Sequence, residues 1–149
     1  MTLKMNCATP MVSVQIASRA RSVPRSASFR YWARAALAAR AEITVRVVTV
    51  PEARSLNRRY RGRDYATNVL SFSYEAGRMT LGDIVLCATV VSREARKQHK
   101  SLGAHYAHLT VHGVLHLRGY DHETAAAARV MENRERRILR SLGYRDPYL

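Results

Sequence analysis

The sequence predicts a single α/β domain, α+β-like in its order, in which a small mixed sheet of about four strands packs against about five helices. Three observations predict this class. The chain has 149 residues, a length typical of one domain. Hydrophobic residues make up 47% of it and charged residues 24%, as in soluble globular proteins. Segments with the pattern of strands concentrate in the first half, and segments with the pattern of helices accompany and follow them.

Four segments have the patterns of β-strands. Residues 11–17 and 68–74 alternate between apolar and polar side chains, and most side chains of residues 42–50 are β-branched. The fourth segment, residues 81–88, is a short apolar run, in which we expect Cys87 to be a small buried side chain.

Five segments have the spacing or the end signals of helices. Pro51 opens the second of them, since proline is well tolerated in a first helical turn, and Gly143 ends the last. The side of the last helix that we expect to be buried carries Val130, Met131, Ile138, Leu139 and Leu142. The predicted helices are residues 28–40, 52–60, 92–100, 104–117 and 123–142.

Charge is the most unusual property of the composition. Lys and Arg total 25 against 11 Asp and Glu, which gives a net charge of +14 and an isoelectric point near 10.8. A surplus of this size favours a polyanionic partner, nucleic acid first and an anionic membrane surface second. Half of the surplus lies in residues 1–41, which contain seven basic residues and no acidic one. The surplus therefore counts only in part as evidence for nucleic-acid binding.

Residues 1–41 admit two interpretations. Their basic composition, with several Ser and Ala, is similar to an organellar transit peptide, whereas the alternation in residues 11–17 indicates a strand of the fold. We favour the second interpretation and expect residues 1–10 to be a loose extension. Cys7 and Cys87 set no disulfide framework, so we expect a reducing, cytoplasmic compartment. No segment approaches the ~18–20 apolar residues of a membrane span, and we expect no membrane partner.

A histidine-rich segment, residues 112–122, is the most informative motif. His112 and His116 are four residues apart, so on a helix both rings project from one face, one turn apart. Two such imidazoles can take adjacent corners of a tetrahedral metal site with bonds of ~2.0–2.1 Å. Gly119 can adopt a positive φ, which ends the helix and folds the chain back so that His122 reaches the same metal. We therefore predict a metal site on a helix and the turn after it.

Three neutral imidazoles leave a fourth position for water, which is typical of a catalytic zinc site. Zinc lowers the pKa of a bound water to about 7 and polarises an oxygen of the scissile group. The spacing matches the zinc-peptidase signature H-E-x-x-H-x-x-G-x-x-H, but Gly113 replaces its general-base Glu, which disfavours peptide hydrolysis. His105 and His108 share a helical face with His112, and we interpret them as packing residues or as neighbours of the ligands. We expect His99 to be solvated.

The segment from His112 to His122, with Tyr120 and Asp121 before the last histidine, resembles the hallmark of the YbeY family of rRNA maturation endoribonucleases. Further blocks of that family are matched, in the same order, by residues 55–64, 67–72, 81–85 and 142–148. The resemblance covers residues 43–148, which is most of the chain.

This resemblance implies a single-domain metalloprotein that cleaves single-stranded RNA and acts in 3′-end maturation of small-subunit (16S) rRNA, ribosome assembly and quality control. It implies one zinc ion per chain, held by His112, His116 and His122. It also places Arg61 on the family's functionally important arginine. The implied partners are rRNA and the small ribosomal subunit, with ribosomal proteins and an assembly GTPase as further candidates.

Four arginines, Arg58, Arg59, Arg61 and Arg63, lie within six residues of one another. A solvated basic face is the alternative interpretation, above all for Arg58 and Arg63. Arg61 precedes Gly62, which permits the close approach of a ligand. A guanidinium binds phosphate in bidentate fashion and can stabilise the extra negative charge of the transition state. We therefore predict Arg61 as a catalytic residue and Arg59, Arg61 and Arg63 as RNA contacts.

Several acidic and aromatic side chains near these motifs have open roles. Asp64 and Asp83 are candidates for capping turns, orienting Arg61 or fixing a ligand histidine. Asp121, beside His122, is predicted to contact a ligand histidine and is a weaker candidate for a base. Candidates for stacking on RNA bases or, equally, for core packing are Tyr60, Tyr65 and Tyr120.

Three functions of different classes follow from these patterns. The leading hypothesis is a zinc-dependent endoribonuclease that acts on rRNA. The second is a ribosome-assembly factor that binds RNA and whose metal is mainly structural. The third is a zinc hydrolase of peptide or small-molecule bonds, which Gly113 disfavours.

Overall fold

The computed structural model describes residues 9–38, 40–74 and 77–149, and within them it contains four strands and five helices. Residues 1–8, which include Cys7 and most of the predicted loose extension, lie outside the described residues. In chain order the elements are β1 (Met11–Ile16), α1 (Ser26–Ala36), β2 (Ala41–Val48), α2 (Val50–Arg61), β3 (Val69–Tyr74), β4 (Thr80–Cys87), α3 (Ala88–Lys97), α4 (Leu102–Leu117) and α5 (Ala125–Ser141).

The four strands form one mixed sheet in the order β1-β2-β4-β3. β1 and β2 are parallel, β2 and β4 are parallel, and β3 runs antiparallel to β4 at the edge. Parallel neighbours need a crossover connection, and α1 supplies it between β1 and β2. The predicted fold class, a small mixed α/β sheet with helices packed on it, is confirmed.

Helices pack on both faces of the sheet at the carboxyl ends of the central strands β2 and β4, which explains why these ends carry apolar side chains on both sides. On one face, Ile43, Val45 and Ile84 belong to the main core beneath α1 and α4. On the opposite face, Val85 and Cys87 belong to a smaller core beneath α2. Cys87 is buried, as predicted.

Helix α4 lies between the sheet and α5 and is apolar almost all round, as a buried helix must be. Ser101 caps its first turn, because the Ser101 hydroxyl accepts a hydrogen bond from the Ala104 amide at 3.1 Å. Gly113 allows the helix to approach β4 closely: a Cβ atom at this position would stand 3.0 Å from the side chain of Ile84. The sheet therefore fixes the middle of α4, which is the part that carries the histidines.

Several details differ from the sequence predictions. β2 ends at Val48 and α2 begins at Val50, although the sequence predicts a strand over residues 42–50. α3 begins at Ala88 rather than at residue 92, because the apolar run that ends β4 continues into the helix and carries no period that separates the two. α1 ends at Ala36, before the predicted residue 40. Val130 is 59% exposed, because its neighbour Met131 takes the position that faces the core and Val130 points away from it.

In the part of the chain that the structure describes, no helix combines the length and the apolar character needed to cross a membrane.

Candidate metal centre and arginine groove

Helix α4 places the first two histidines of the motif. His112 and His116 lie one turn apart on the same side of the helix, and their ring centroids are 4.7 Å apart. Both side chains are partly buried. The prediction that the i, i+4 spacing brings the two rings together is confirmed.

The turn after α4 places the third histidine. Gly119 adopts a φ of +96°, its amide donates to the His116 carbonyl at 3.0 Å, and the Tyr120 amide donates to the Leu115 carbonyl at 3.0 Å. This pair of hydrogen bonds is a Schellman motif, which reverses the chain at the end of a helix. The ring of His122 consequently lies 5.0 Å from that of His116, measured between centroids.

Each of the three histidines offers one ring nitrogen, and these nitrogens all lie within 4.8 Å of one another, close enough to surround one metal ion. Burial lowers the pKa of His116, and the neighbouring His112 and His122 lower it further. The ring of His116 is therefore neutral at physiological pH, and a neutral imidazole is the form that binds a metal.

A carboxylate from α5 lies directly against this cluster. The Glu135 side chain is fully buried, and its Oε1 lies 2.5 Å from Nδ1 of His112. Its Oε2 accepts hydrogen bonds from Nε2 of His108 at 3.2 Å and from the hydroxyl of Tyr148. Burial alone would raise the pKa of Glu135, but the hydrogen bonds from His108, His112 and Tyr148, together with the charge that His112 carries when it is protonated, lower the pKa to about 2. Glu135 is therefore a buried anion.

This anion decides which nitrogen of His112 is available. Because Nδ1–H of His112 donates to Glu135, Nε2 carries the lone pair that a metal ion requires. The donors to Glu135 are two imidazoles and a phenol, none of which carries a permanent charge, whereas a buried carboxylate needs a cation nearby. A cation held by the three histidines would supply that charge. The residues present thus fit zinc, or another divalent ion that prefers imidazole nitrogen.

Sequence reasoning missed Glu135, although its spacing carried a signal. Glu135 lies four residues from both Met131 and Leu139, which are buried, and an acidic residue within an apolar helical stripe requires a buried partner. Asp121, the predicted contact of a ligand histidine, is exposed, and its Oδ1 accepts a hydrogen bond from the Glu123 amide at 3.2 Å. The carboxylate that the structure brings to a ligand is that of Glu135.

The remaining histidines take different positions. His108 contacts Glu135, and His105 is buried with its Nε2 3.0 Å from Oε1 of Glu94. His99 is exposed in the turn after α3, with a φ of +54°. These positions agree with the interpretation of His105 and His108 as packing residues or neighbours of the ligands and with a solvated His99.

Arg61 lies in the last turn of α2, immediately before Gly62, whose φ of +70° ends the helix. Its Nη2 donates to the carbonyl of Ser71 at 2.8 Å, and its guanidinium carbon lies 5.3 Å from the ring centroid of Phe72. An arginine has five N–H donors, so this arrangement holds the guanidinium in place and leaves donors for a phosphate group.

Arg59 and Arg63 are exposed near the same end of α2, and Arg63 donates to the Tyr65 hydroxyl at 3.4 Å. Two of the three candidate stacking residues are also exposed: Tyr60 by 54% and Tyr65 by 52% of their surfaces. Tyr120, in contrast, is partly buried against the main core.

The face of the sheet that carries α2 is only partly covered, and the open part is a groove of about 660 Å³, here called the arginine groove. Its lining residues are Gln15, Thr44, Arg46, Glu52, Leu56, Tyr60, Arg61, Phe72, Ser73, Tyr74, Asp83 and Val85. Arg46 is paired with Glu52 at 2.7 Å. Arg61, in contrast, has no carboxylate partner among the residues that the structure describes.

Asp64 and Asp83 do not take the roles considered for them at Arg61 or at a ligand histidine. Asp64 accepts two hydrogen bonds from Arg54, at 2.8 and 3.0 Å. Asp83 accepts one from the hydroxyl of Tyr74 at 2.7 Å.

Ser71, on the edge strand β3, connects the arginine groove to the metal centre. Its carbonyl accepts the hydrogen bond from Arg61, and its hydroxyl donates to the carbonyl of Gly113 at 3.5 Å. Gly113 follows His112 in the sequence. A single strand residue therefore contacts both Arg61 and the helix segment that carries the histidines.

Comparison with known proteins decides the family. The family model described as Endoribonuclease YbeY matches residues 13–143. This chain belongs to the YbeY family. It is 58% identical over 132 residues to Endoribonuclease YbeY of Methylibium petroleiphilum, covering 89% of this chain and 88% of that protein. It is 54% identical over 137 residues to Endoribonuclease YbeY of Methylobacillus flagellatus, covering 92% of each.

A solved structure agrees with the fold. A Thermotoga maritima protein, whose structure was determined in solution, matches with a TM-score of 0.57 at 20% sequence identity, covering 92% of this chain and 98% of that one. The family model and the named relatives confirm the YbeY resemblance drawn from the histidine motif and the expectation of an enzyme of the endoribonuclease class.

Proposed function

We propose that this protein is a zinc-dependent endoribonuclease that cleaves single-stranded RNA, acts in 3′-end maturation of 16S rRNA and serves ribosome assembly and quality control in the cytoplasm. The observation that carries the proposal is the cluster of three histidine nitrogens within 4.8 Å, backed by a buried carboxylate. Membership of the YbeY family and relatives named as endoribonucleases support the reaction class.

His112, His116 and His122 would hold one zinc ion. When bound, zinc supplies Lewis acidity at a phosphoryl oxygen and activates water for attack on phosphorus. The chain itself prepares the ligands: Glu135 holds the ring of His112 with Nε2 available, and burial keeps His116 neutral. We infer a catalytic rather than a structural metal, because three protein ligands leave one position of a tetrahedron open.

The arginine groove would bind the RNA. Arg61, fixed by Ser71 and Phe72, would hold a phosphate and stabilise the negative charge that develops on it. Arg59 and Arg63 would contact neighbouring phosphates, since both are exposed near the same helix end. Tyr60 would offer an exposed ring to a base, a contact that suits single strands because every base has a stackable face.

Hydrolysis of peptide bonds is less well supported by the structure. Gly113 provides no general base, and a Cβ atom added there would stand 3.0 Å from Ile84. A Glu at this position would therefore press against the sheet. A net charge of +14 favours a polyanionic substrate over a peptide.

We further propose rRNA and the small ribosomal subunit as partners, with ribosomal proteins and an assembly GTPase as additional candidates. The basic composition and the exposed arginines at the end of α2 support an RNA-rich partner.

Measuring zinc content and RNA cleavage together in the His112→Ala variant tests the proposal. We expect both to be lost with a single-stranded RNA oligonucleotide as substrate. The matched control is His99→Asn, since His99 is an exposed histidine outside the cluster and Asn tolerates its positive φ. Cleavage at the wild-type rate by zinc-free His112→Ala would refute the mechanism. Highly purified wild type that binds zinc and rRNA without cleaving would instead support the assembly factor with a structural metal.

A further inference from the structure

We propose that Tyr148 is a positioning residue of the metal centre: its hydroxyl holds Glu135, and Glu135 in turn orients His112. This inference rests on the proposed metal dependence. It assigns a task to residues 144–149, a segment that lies outside the histidine motif and that the proposed function does not otherwise use.

The contacts of Tyr148 are those of an orienting group rather than of a packing residue. The residue is 41% exposed, whereas its hydroxyl reaches the fully buried carboxylate of Glu135 and lies 3.4 Å from Nε2 of His108. A tyrosine that served only to fill the core would bury its ring and leave the hydroxyl near water. Here the hydroxyl contacts a fully buried carboxylate, although the residue as a whole is exposed.

The two oxygens of Glu135 have separate partners. Oε1 accepts from His112, while Oε2 accepts from both Tyr148 and His108. Tyr148 and His108 together prevent the carboxylate from rotating, which keeps Oε1 directed at Nδ1 of His112. Without the Tyr148 hydroxyl, Oε2 would have one donor, and the ring of His112 would lose part of its restraint.

Residues 144–149 fold back along α5 to deliver this hydroxyl. Gly143 has a φ of +90° and reverses the chain after α5. Asp146 then forms an ion pair with Arg136 at 2.9 Å and accepts a hydrogen bond from the Tyr148 amide at 2.9 Å. The guanidinium of Arg136 also lies 5.1 Å from the centroid of the Tyr148 ring.

A third element holds the same segment. Lys100, in the connection before α4, donates from its Nζ to the carbonyl of Pro147 at 2.8 Å. The residue before Tyr148 is therefore tied to the start of α4, the helix that carries His112. Contacts with α5 and with the start of α4 fix where the Tyr148 hydroxyl stands.

The test compares zinc affinity, measured by competition with a chromophoric chelator, in wild type, Tyr148→Phe, Glu135→Gln and the double variant. Tyr148→Phe keeps the ring beside Arg136 and removes the hydroxyl alone. We expect each single variant to bind zinc about tenfold more weakly, the lower end of the effect of an outer partner of a metal ligand. The double variant should lose hardly more than Glu135→Gln, because Tyr148 acts through Glu135. The control is Tyr31→Phe, since Tyr31 is 63% exposed on α1.

A spectrum separates positioning from general loss of structure. With Co²⁺ in place of zinc, Tyr148→Phe should shift the visible absorption bands, while the metal-free melting temperature stays close to that of Tyr31→Phe. Wild-type zinc affinity in Tyr148→Phe, or independent losses in the double variant, would overturn the positioning role and leave the proposed function intact. A wild-type protein that binds no metal would overturn both proposals.

Discussion

The metal centre and the arginine groove differ in how they are built. At the metal centre the fully buried carboxylate of Glu135 contacts His112, and the turn at Gly119 brings His122 to the cluster. His108 and Tyr148 donate hydrogen bonds to the same carboxylate. In the groove Arg61 has a backbone carbonyl and an aromatic ring as neighbours, and its side chain reaches into solvent. The first region depends on geometry fixed by burial. The RNA contact proposed for the second depends on exposed charge, which salt screens and which tolerates different RNA sequences.

Removal of the metal should separate the two regions most strongly, because only the metal centre depends on it. We expect dialysis against a chelator to abolish RNA cleavage, because the phosphoryl group loses its Lewis acid. Binding of single-stranded RNA should persist with its steep salt dependence, since the groove does not require the metal. Fluorescence anisotropy at several salt concentrations measures binding, and restoration of cleavage by added zinc is the control. Parallel loss of both properties would show that the two regions are not separable.

Arg61→Ala should produce the converse result. We expect cleavage of single-stranded RNA to fall on the order of 10²-fold, as when one donor to a developing negative charge is removed. Zinc content should stay at the wild-type level. Arg129→Ala, at an exposed arginine of α5, removes the same charge and is the control. An equal loss of cleavage in both variants would show that Arg61 acts only through its contribution to the net charge.

Gly119→Ala should weaken the metal centre through the backbone alone. A φ of +96° costs a residue with a Cβ atom roughly 1–2 kcal/mol, so both the free energy of unfolding and the zinc affinity should fall. Denaturant titration and chelator competition measure these two quantities. Gly103→Ala in the first turn of α4, where a Cβ meets no atom within 4 Å, is the control and should be neutral or slightly stabilising. Unchanged zinc affinity in Gly119→Ala would show that His122 reaches the site without this turn.

The smallest expected effect concerns pH and His105, which lies on α4 together with His112 and His116. Burial lowers its pKa, and the hydrogen bond with Glu94 offsets only part of that; Lys100 and His108 lower it further. Below about pH 6.5 the unfolded chain therefore takes up a proton that folded His105 resists, so its contribution to stability falls as pH drops. In the presence of chelator, His105→Gln should lose less stability than wild type between about pH 7.5 and 5.5. Parallel denaturation curves at both pH values would contradict this.

The sequence predicted the parts of the molecule that local spacing determines. The i, i+4 histidines and Gly119 place three ligands within eleven residues, and the alternating and β-branched segments predict the four strands. Residues that meet only after folding could not be found in this way. Glu135 reaches His112 across 23 residues, and Tyr148 reaches Glu135 across a further 13.

The predicted boundaries of helices and strands are wrong where two sequence patterns overlap. β4 and α3 join without a break in an apolar run, so neither strand nor helix spacing shows where one ends. Val130 and Met131 are both apolar, and only the packing of α5 against the core decides which of them is buried. Arg61 was predicted from its neighbours in the chain, but its support from Ser71 and Phe72 requires the pairing of β3 with β4.

The Schellman turn at Gly119 has a consequence for how this metal centre can evolve. Residues 112–122 supply all three histidine nitrogens of the cluster, so the capacity to bind an ion depends on this one contiguous segment. The group that orients one of those donors, His112, comes from a separate part of the chain, α5 and the residues after it. Substitutions in α5 can therefore retune the affinity of the ion without changing a ligand. The ligands and their tuning form two modules that selection can alter independently.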